Sequence, residues 1–115
     1  MKLQKIKYLL LAQDMQRGLA FYSTVFGLTP TVESDFWSEM TFGDTIVALH
    51  GGGDGTRNST DVSFQVDNIV VGCRLIRENG GTIVAEPEQR PGEPIVLAVF
   101  ADTEGNEAML TQWVG

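Results

Sequence analysis

The chain has 115 residues, 43% of them apolar, enough for one compact domain with its own core. No apolar run reaches the roughly 20 residues needed to cross a bilayer, and a net charge of −7 excludes the basic footprint of a nucleic-acid or anionic-membrane binder. Cys73, the one cysteine, has no disulfide partner in the chain, and the opening Met1–Lys5 lacks the apolar region of a signal peptide, so a cytoplasmic location is expected.

In chain order, residues 5–12 read as a strand. Asp14 then suits the N-cap of a helix over 15–26, with Met15, Leu19, Tyr22 and Phe26 on one stripe and Gly27 as its left-handed stop. Residues 28–33, interrupted by Pro30, read as an edge strand. Residues 36–42 and 45–50 form a hairpin about Gly43-Asp44. The glycine-rich run 51–60 is a connector. It lacks the Lys-Ser/Thr ending and following helix of a phosphate loop. A strand over 61–66 follows, then a cap at Asp67-Asn68 and a helix over 69–78 with Ile69, Cys73 and Ile76 inward. Gly80-Gly81 ends it. A short strand over 82–85, a loop over 86–94, a strand over 95–101, the turn Asp102–Asn106 and a last strand over 107–113 complete the chain.

Asp14 and Asp67 are 53 residues apart, and so are Gly27 and Gly80. An equal offset at both ends of the helix indicates a repeat: one βαβββ unit used twice, with each half-covered sheet needing a packing partner. The expected architecture is α+β, a single domain over 1–115 with module 1 at about 5–50, a linker at 51–60 and module 2 at about 61–113.

The run DMQRGLAFYSTVFGL resembles the first-helix signature of the vicinal oxygen chelate superfamily, the group of glyoxalase I, bleomycin-resistance proteins and extradiol dioxygenases. FQVDNI and DTEGNEAMLTQ resemble its second-module strand and its final turn and strand. The resemblance spans nearly the whole chain and implies the glyoxalase/bleomycin-resistance/dihydroxybiphenyl-dioxygenase-like fold. In that fold curled half-sheets pair to form a cleft, often around a divalent metal. It also implies a two-fold homodimer, since small members usually pair that way. Metal-binding members take His, Glu or Gln ligands from the first and last strand of each module, and those positions here hold Lys7, Ala48, Asp61 and Met109. An ammonium, a methyl and a thioether are no set for a hard divalent cation. No metal and no cofactor is therefore expected.

Strand alternation assigns the faces. With Lys7, Ala48, Asp61 and Met109 inward, the cleft also receives Leu9, Ile46, His50, Ser63, Gln65, Glu107, Thr111 and Trp113. The hairpin adds Trp37 opposite His50 and Glu39 opposite Ala48. The opposite, helix-facing set is apolar: Ile6, Tyr8, Leu10, Val47, Leu49, Val62, Phe64, Val66, Ala108 and Leu110. The candidate ligand-binding residues are thus Lys7, Trp37, Glu39, His50, Asp61, Ser63, Met109 and Trp113, with no catalytic residue assigned. Each also has a plain structural reading. Lys7 and Asp61 can simply form an ion pair, and His50 can be surface. Trp37 and Trp113 can stack a planar ligand or plug a subunit interface. Glu39 can be a general base if desolvation raises its pKa, or a polar wall residue. The reading is a small-molecule binding protein for a partly aromatic ligand, metal-independent and of the sequestering or resistance type. The alternative is a lyase, isomerase or dioxygenase-type enzyme with atypical metal ligands.

Overall fold

The structure, a computed structural model, describes residues 1–115. Its elements in order are β1 (Lys7–Ala12), α1 (Met15–Phe26), β2 (Thr29–Val32), β3 (Trp37–Phe42), β4 (Thr45–Gly51), β5 (Asn58–Gln65), α2 (Ile69–Glu78), β6 (Thr82–Gln89), β7 (Ile95–Ala101) and β8 (Asn106–Trp113). They form two four-stranded sheets ordered β1-β4-β3-β2 and β5-β8-β7-β6. In each, the first strand runs parallel to the last and the other pairings are antiparallel. The chain is thus two βαβββ modules of the same topology, as the repeat predicts. No helix is long and apolar enough to cross a membrane.

Both helices begin and end on local chemistry. The Asp14 carboxylate accepts from Arg17 N–H and caps α1, and Gly27 closes it at φ 69°, where a side chain would be strained. In α2 the cap is Asn68, the second residue of the expected Asp67-Asn68 pair, so the helix begins one residue later in the repeat than α1 does and is shorter. Two boundaries differ by three residues or more. β5 begins at Asn58, inside the expected linker, because Asn58 and Ser59 pair with Asn106 and Glu107. β6 runs on to Gln89, through most of the expected loop, because Glu88 and Gln89 pair with Leu97 and Val96. Pro87 and two register shifts are tolerated there because β6 is an edge strand.

The core lies between the helices and the sheets. It holds Leu10, Leu49, Met40, Tyr22, Ile76, Phe100 and Leu110, all at most 1% exposed. The helix-facing set is buried at its centre, but Ile6 and Tyr8 are exposed, because α1 covers only the far end of its sheet. Phe21, outside the expected stripe, is also buried. It points toward the second module, within 3.0 Å of where a Cβ on Gly81 would stand. α1 is therefore buried on two sides, by its own sheet and by module 2.

The modules are fastened through the turn before β8. Glu104 accepts from the N–H groups of Gln13 and Asp14 at 3.0 and 2.7 Å and pairs with Arg17 Nε at 2.8 Å. Asn106 acts like a strand residue toward β1: its side-chain oxygen accepts from Leu11 N–H and its amide donates to Leu11 C=O. Asp102 accepts from Tyr22 Oη at 2.5 Å and from Asn106 Nδ2 at 2.8 Å. Burial pushes the Asp102 carboxyl up against those bonds. Burial also opposes charge on Glu104, yet the bonds from Arg17, Thr103 and the Asp14 N–H hold its carboxyl below the usual range. This fastening joins the modules on their helix sides. The opposite, concave faces stay open, with Leu9 52% and Trp113 56% exposed.

Candidate functional site

The concave face of module 1 carries a connected polar cluster. β1 supplies Lys7, β3 supplies Trp37 and Glu39, and β4 supplies Ala48 and His50. The register is the expected one, with Trp37 opposite His50 and Glu39 opposite Ala48. A single oxygen of Glu39, Oε2, accepts from Lys7 Nζ at 2.8 Å and from Trp37 Nε1 at 2.7 Å. Lys7 Nζ also lies 5.8 Å from the centroid of the Trp37 ring, within cation–π range. The His50 ring stands edge-on to Trp37 at 6.0 Å. The Lys7 and Trp37 bonds hold the Glu39 carboxyl below its usual value. Glu39 is therefore a charged wall residue and not the raised-pKa base that desolvation alone would make.

The other candidates stand apart. Met109 faces the concave side of β8 beside Ser63, and Trp113 lies at the exposed end of that strand. Arg57, just before β5, pairs with Glu107 of β8 at 3.4 Å. Asp61 and Ser63, on the edge strand β5, line a groove between the modules together with Tyr8 and Phe42. Lys7 pairs with Glu39, and Asp61 takes no part in that ion pair, so the Lys7–Asp61 pairing is not made within the chain. Sequence reasoning found the members of the cluster but missed the Lys7–Glu39 bond. The cross-strand register places Glu39 beside Ala48 and Ala48 beside Leu9, one step along β1 from Lys7, so the signal was available.

The residues at the family's ligand positions do not fit a metal. Lys7 offers a protonated nitrogen already bonded to Glu39, Ala48 is a fully buried methyl, and Met109 is a soft thioether. No group of three or more His, Cys, Asp or Glu is gathered anywhere in the fold. Cys73 is buried, and burial pushes its thiol up, away from reactive thiolate character.

The fold and these strand positions define a class. The family model of the glyoxalase/bleomycin resistance protein/dioxygenase superfamily matches residues 5–110, and the chain belongs to that superfamily. Among solved structures, the chain is similar to a genomically encoded fosfomycin resistance protein, FosX, from Listeria monocytogenes. The TM-score is 0.79 at 14% identity, covering 97% of this chain and 94% of that one. A superfamily member from Sphaerobacter thermophilus gives 0.76 at 20% identity, covering 96% and 98%. The hypothetical protein SA1046 from S. aureus gives 0.75 at 23% identity, covering 95% and 96%. These likenesses establish the fold. No curated protein matches the sequence.

Proposed function

We propose that the protein binds a small, partly aromatic molecule without a metal, in a cleft built on the concave face of module 1. The observation that carries this reading is Lys7. In a metal-binding relative this position would coordinate the ion, and here an ammonium stands there, bonded to Glu39 and set over the Trp37 ring. The site thus keeps a fixed positive charge beside an aromatic wall. Lys7 retains two further N–H donors for a polar ligand edge, while Trp37 and His50 supply stacking surface. Such a mixture of apolar wall and few convergent polar groups is the composition of a ligand pocket.

The cleft needs a second wall, and the reading takes it from a partner chain. The intrachain fastening leaves both concave faces open. In a two-fold homodimer the module 1 face of one protomer meets the module 2 face of its partner, with Met109 and Trp113 completing each of two equivalent clefts. Such an interface should bury more than roughly 1,000 Å² in total. The protein is taken to be cytoplasmic, in keeping with its single reduced cysteine.

The test is a thermal-shift screen over aromatic metabolites and antibiotics, run with and without EDTA. A binder should raise the melting temperature equally in both series and lose most of its effect in Trp37→Ala. A melting temperature that falls on chelation and returns with one metal would reject the metal-free reading.

A further inference from the structure

The free edges of the two sheets are β1, β2, β5 and β6. An unguarded edge is a template for pairing with another chain. Three of these edges are guarded. On β1 the Asn106 side chain already makes both backbone bonds of Leu11, and Lys7 stands further along. β2 carries Pro30 and a register shift, and β6 carries Pro87 and two shifts. β5 has neither Pro nor Lys, and beyond the shift between Ser59 and Ser63 its pairing with β8 is regular. There Val66 N–H donates to Thr111 C=O, with Ser63 and Gln65 opposite Met109 and Thr111. In that parallel register the backbone groups of Phe64 face β8. Those of Ser63 and Gln65 face away from it, where β5 has no neighbouring strand.

This edge borders a groove of about 570 Å³ on the helix side of module 1. Alternation sends Val62, Phe64 and Val66 to one face of β5 and Asp61, Ser63 and Gln65 to the other, yet the whole run 61–66 lines the groove. What the two rows share is the backbone edge. Beyond it stand Tyr8 and Phe42, 52% and 71% exposed, and Phe26, stacked on Phe64 at 4.3 Å. On the other face Asp61 and, just past the strand, Asp67 are exposed and in none of the chain's ion pairs.

We propose that β5 takes up an extended segment of another protein as an added strand, one in which apolar residues alternate with basic ones. Ser63 and Gln65 supply the backbone donors and acceptors of the new ladder. The apolar residues of the segment continue the row of Val62, Phe64 and Val66 and cover Tyr8 and Phe42. The basic residues fall on the opposite face, in the row of Asp61, where cross-strand charges are opposite. The chain's net charge of −7 draws a basic segment in the same sense. A second copy of β5 fits less well. Antiparallel pairing about Phe64 would set Asp61 opposite Asp67, and like charges directly opposite destabilise a pair. The site does not use the Lys7–Trp37 cleft and stands apart from the small-molecule reading.

The experiment is a fluorescence-anisotropy titration of the full chain with the capped, dye-labelled peptide Lys-Val-Lys-Phe-Lys-Val-Lys. It should bind saturably and at least about ten-fold more tightly than Glu-Val-Glu-Phe-Glu-Val-Glu or the reordered Lys-Lys-Val-Phe-Val-Lys-Lys, the ratio that 1.4 kcal/mol gives. In antiparallel pairing the peptide's lysines exchange backbone bonds with Ser63 and Gln65. N-methylation of the lysine amides should therefore weaken binding at least about ten-fold, and N-methylation of the Val and Phe amides less than about three-fold. Saturating peptide should slow amide exchange at Ser63 and Gln65 at least about ten-fold, measured by NMR. Phe42→Ala should weaken the peptide about three-fold at an unchanged melting temperature, since its side chain is exposed. Val84→Thr, on the edge strand β6, should leave it within about two-fold. Absence of saturable binding would overturn the proposal. So would equal binding of the reordered or acidic peptide, or equal effects of the two N-methylated peptides. Ser63 and Gln65 amides already protected in the free protein would assign the edge to a second copy and overturn it as well.

Discussion

The two modules share a topology but are held differently. The first free N–H of α2 is satisfied from within its own module, by the side-chain oxygen of Gln112 on β8, which accepts from Ile69 at 2.8 Å. The segment leading into α1 is held from the other module, by the buried carboxylate of Glu104. Module 2 therefore carries its own helix restraint and lends a second one to module 1. The difference teaches that a repeat in sequence need not be a repeat in energetics. Module 1 depends on its neighbour for the placement of β1 and α1, and β1 is the strand that carries Lys7 onto the concave face beside Glu39.

The comparison breaks most sharply at Glu104. Glu104→Ala leaves Arg17 without its partner and two backbone N–H groups without acceptors, and should cost about 3–5 kcal/mol in urea unfolding. Tyr22→Phe removes a single bond to the buried Asp102 carboxylate and should cost about 1.5–3 kcal/mol. Gln112→Ala, the intramodule counterpart, removes one neutral bond at a helix start and should cost about 1 kcal/mol. A Gln112→Ala loss as large as that of Glu104→Ala would erase the asymmetry.

Acidity sharpens the same contrast. The Glu104 carboxyl is held low in the fold, so its contribution is present above the unfolded value and disappears as pH falls through the folded one. Asp102 is held high, so its contribution is present below its unfolded value and is lost as pH rises through the folded one. The stability gap between wild type and Glu104→Gln should therefore narrow as pH drops from neutrality to below Glu104's ordinary 4.5, followed by urea titration at each pH. A gap that widens on acidification would reverse the assignment.

The smallest expected effect lies in the cleft. Lys7 and Glu39 form a partly exposed pair, so a double-mutant cycle with Lys7→Met and Glu39→Gln should show coupling of about 0.5 kcal/mol. The cycle pairing Lys7→Met with Asp61→Asn should be additive.

Much of this was legible in the sequence because it is local. Caps, glycine stops and the Gly43-Asp44 hairpin depend on neighbours within a few residues, so both helices, the Trp37–His50 register and the repeat follow from pattern alone. The parts that differ depend on distant chain. The extension of β6 past Pro87 needs the partner strand β7, and the burial of Phe21 needs module 2. The division of the candidate site followed the same rule. Lys7, Trp37, Glu39 and His50 sit on strands of one sheet and came together. Asp61 and Ser63 lie on a strand of the other sheet, whose placement only the packing of the modules decides. The exposed Tyr8 is a further case. Alternation puts it on the helix face, but the length of α1 decides whether anything covers it.

The central claim is that the intermodule fastening turns both concave faces outward, so that a second chain completes the cleft. Sedimentation equilibrium at micromolar concentration tests it most directly. A single species at twice the chain mass of 12.6 kDa is the predicted result, and a single species at 12.6 kDa would contradict it.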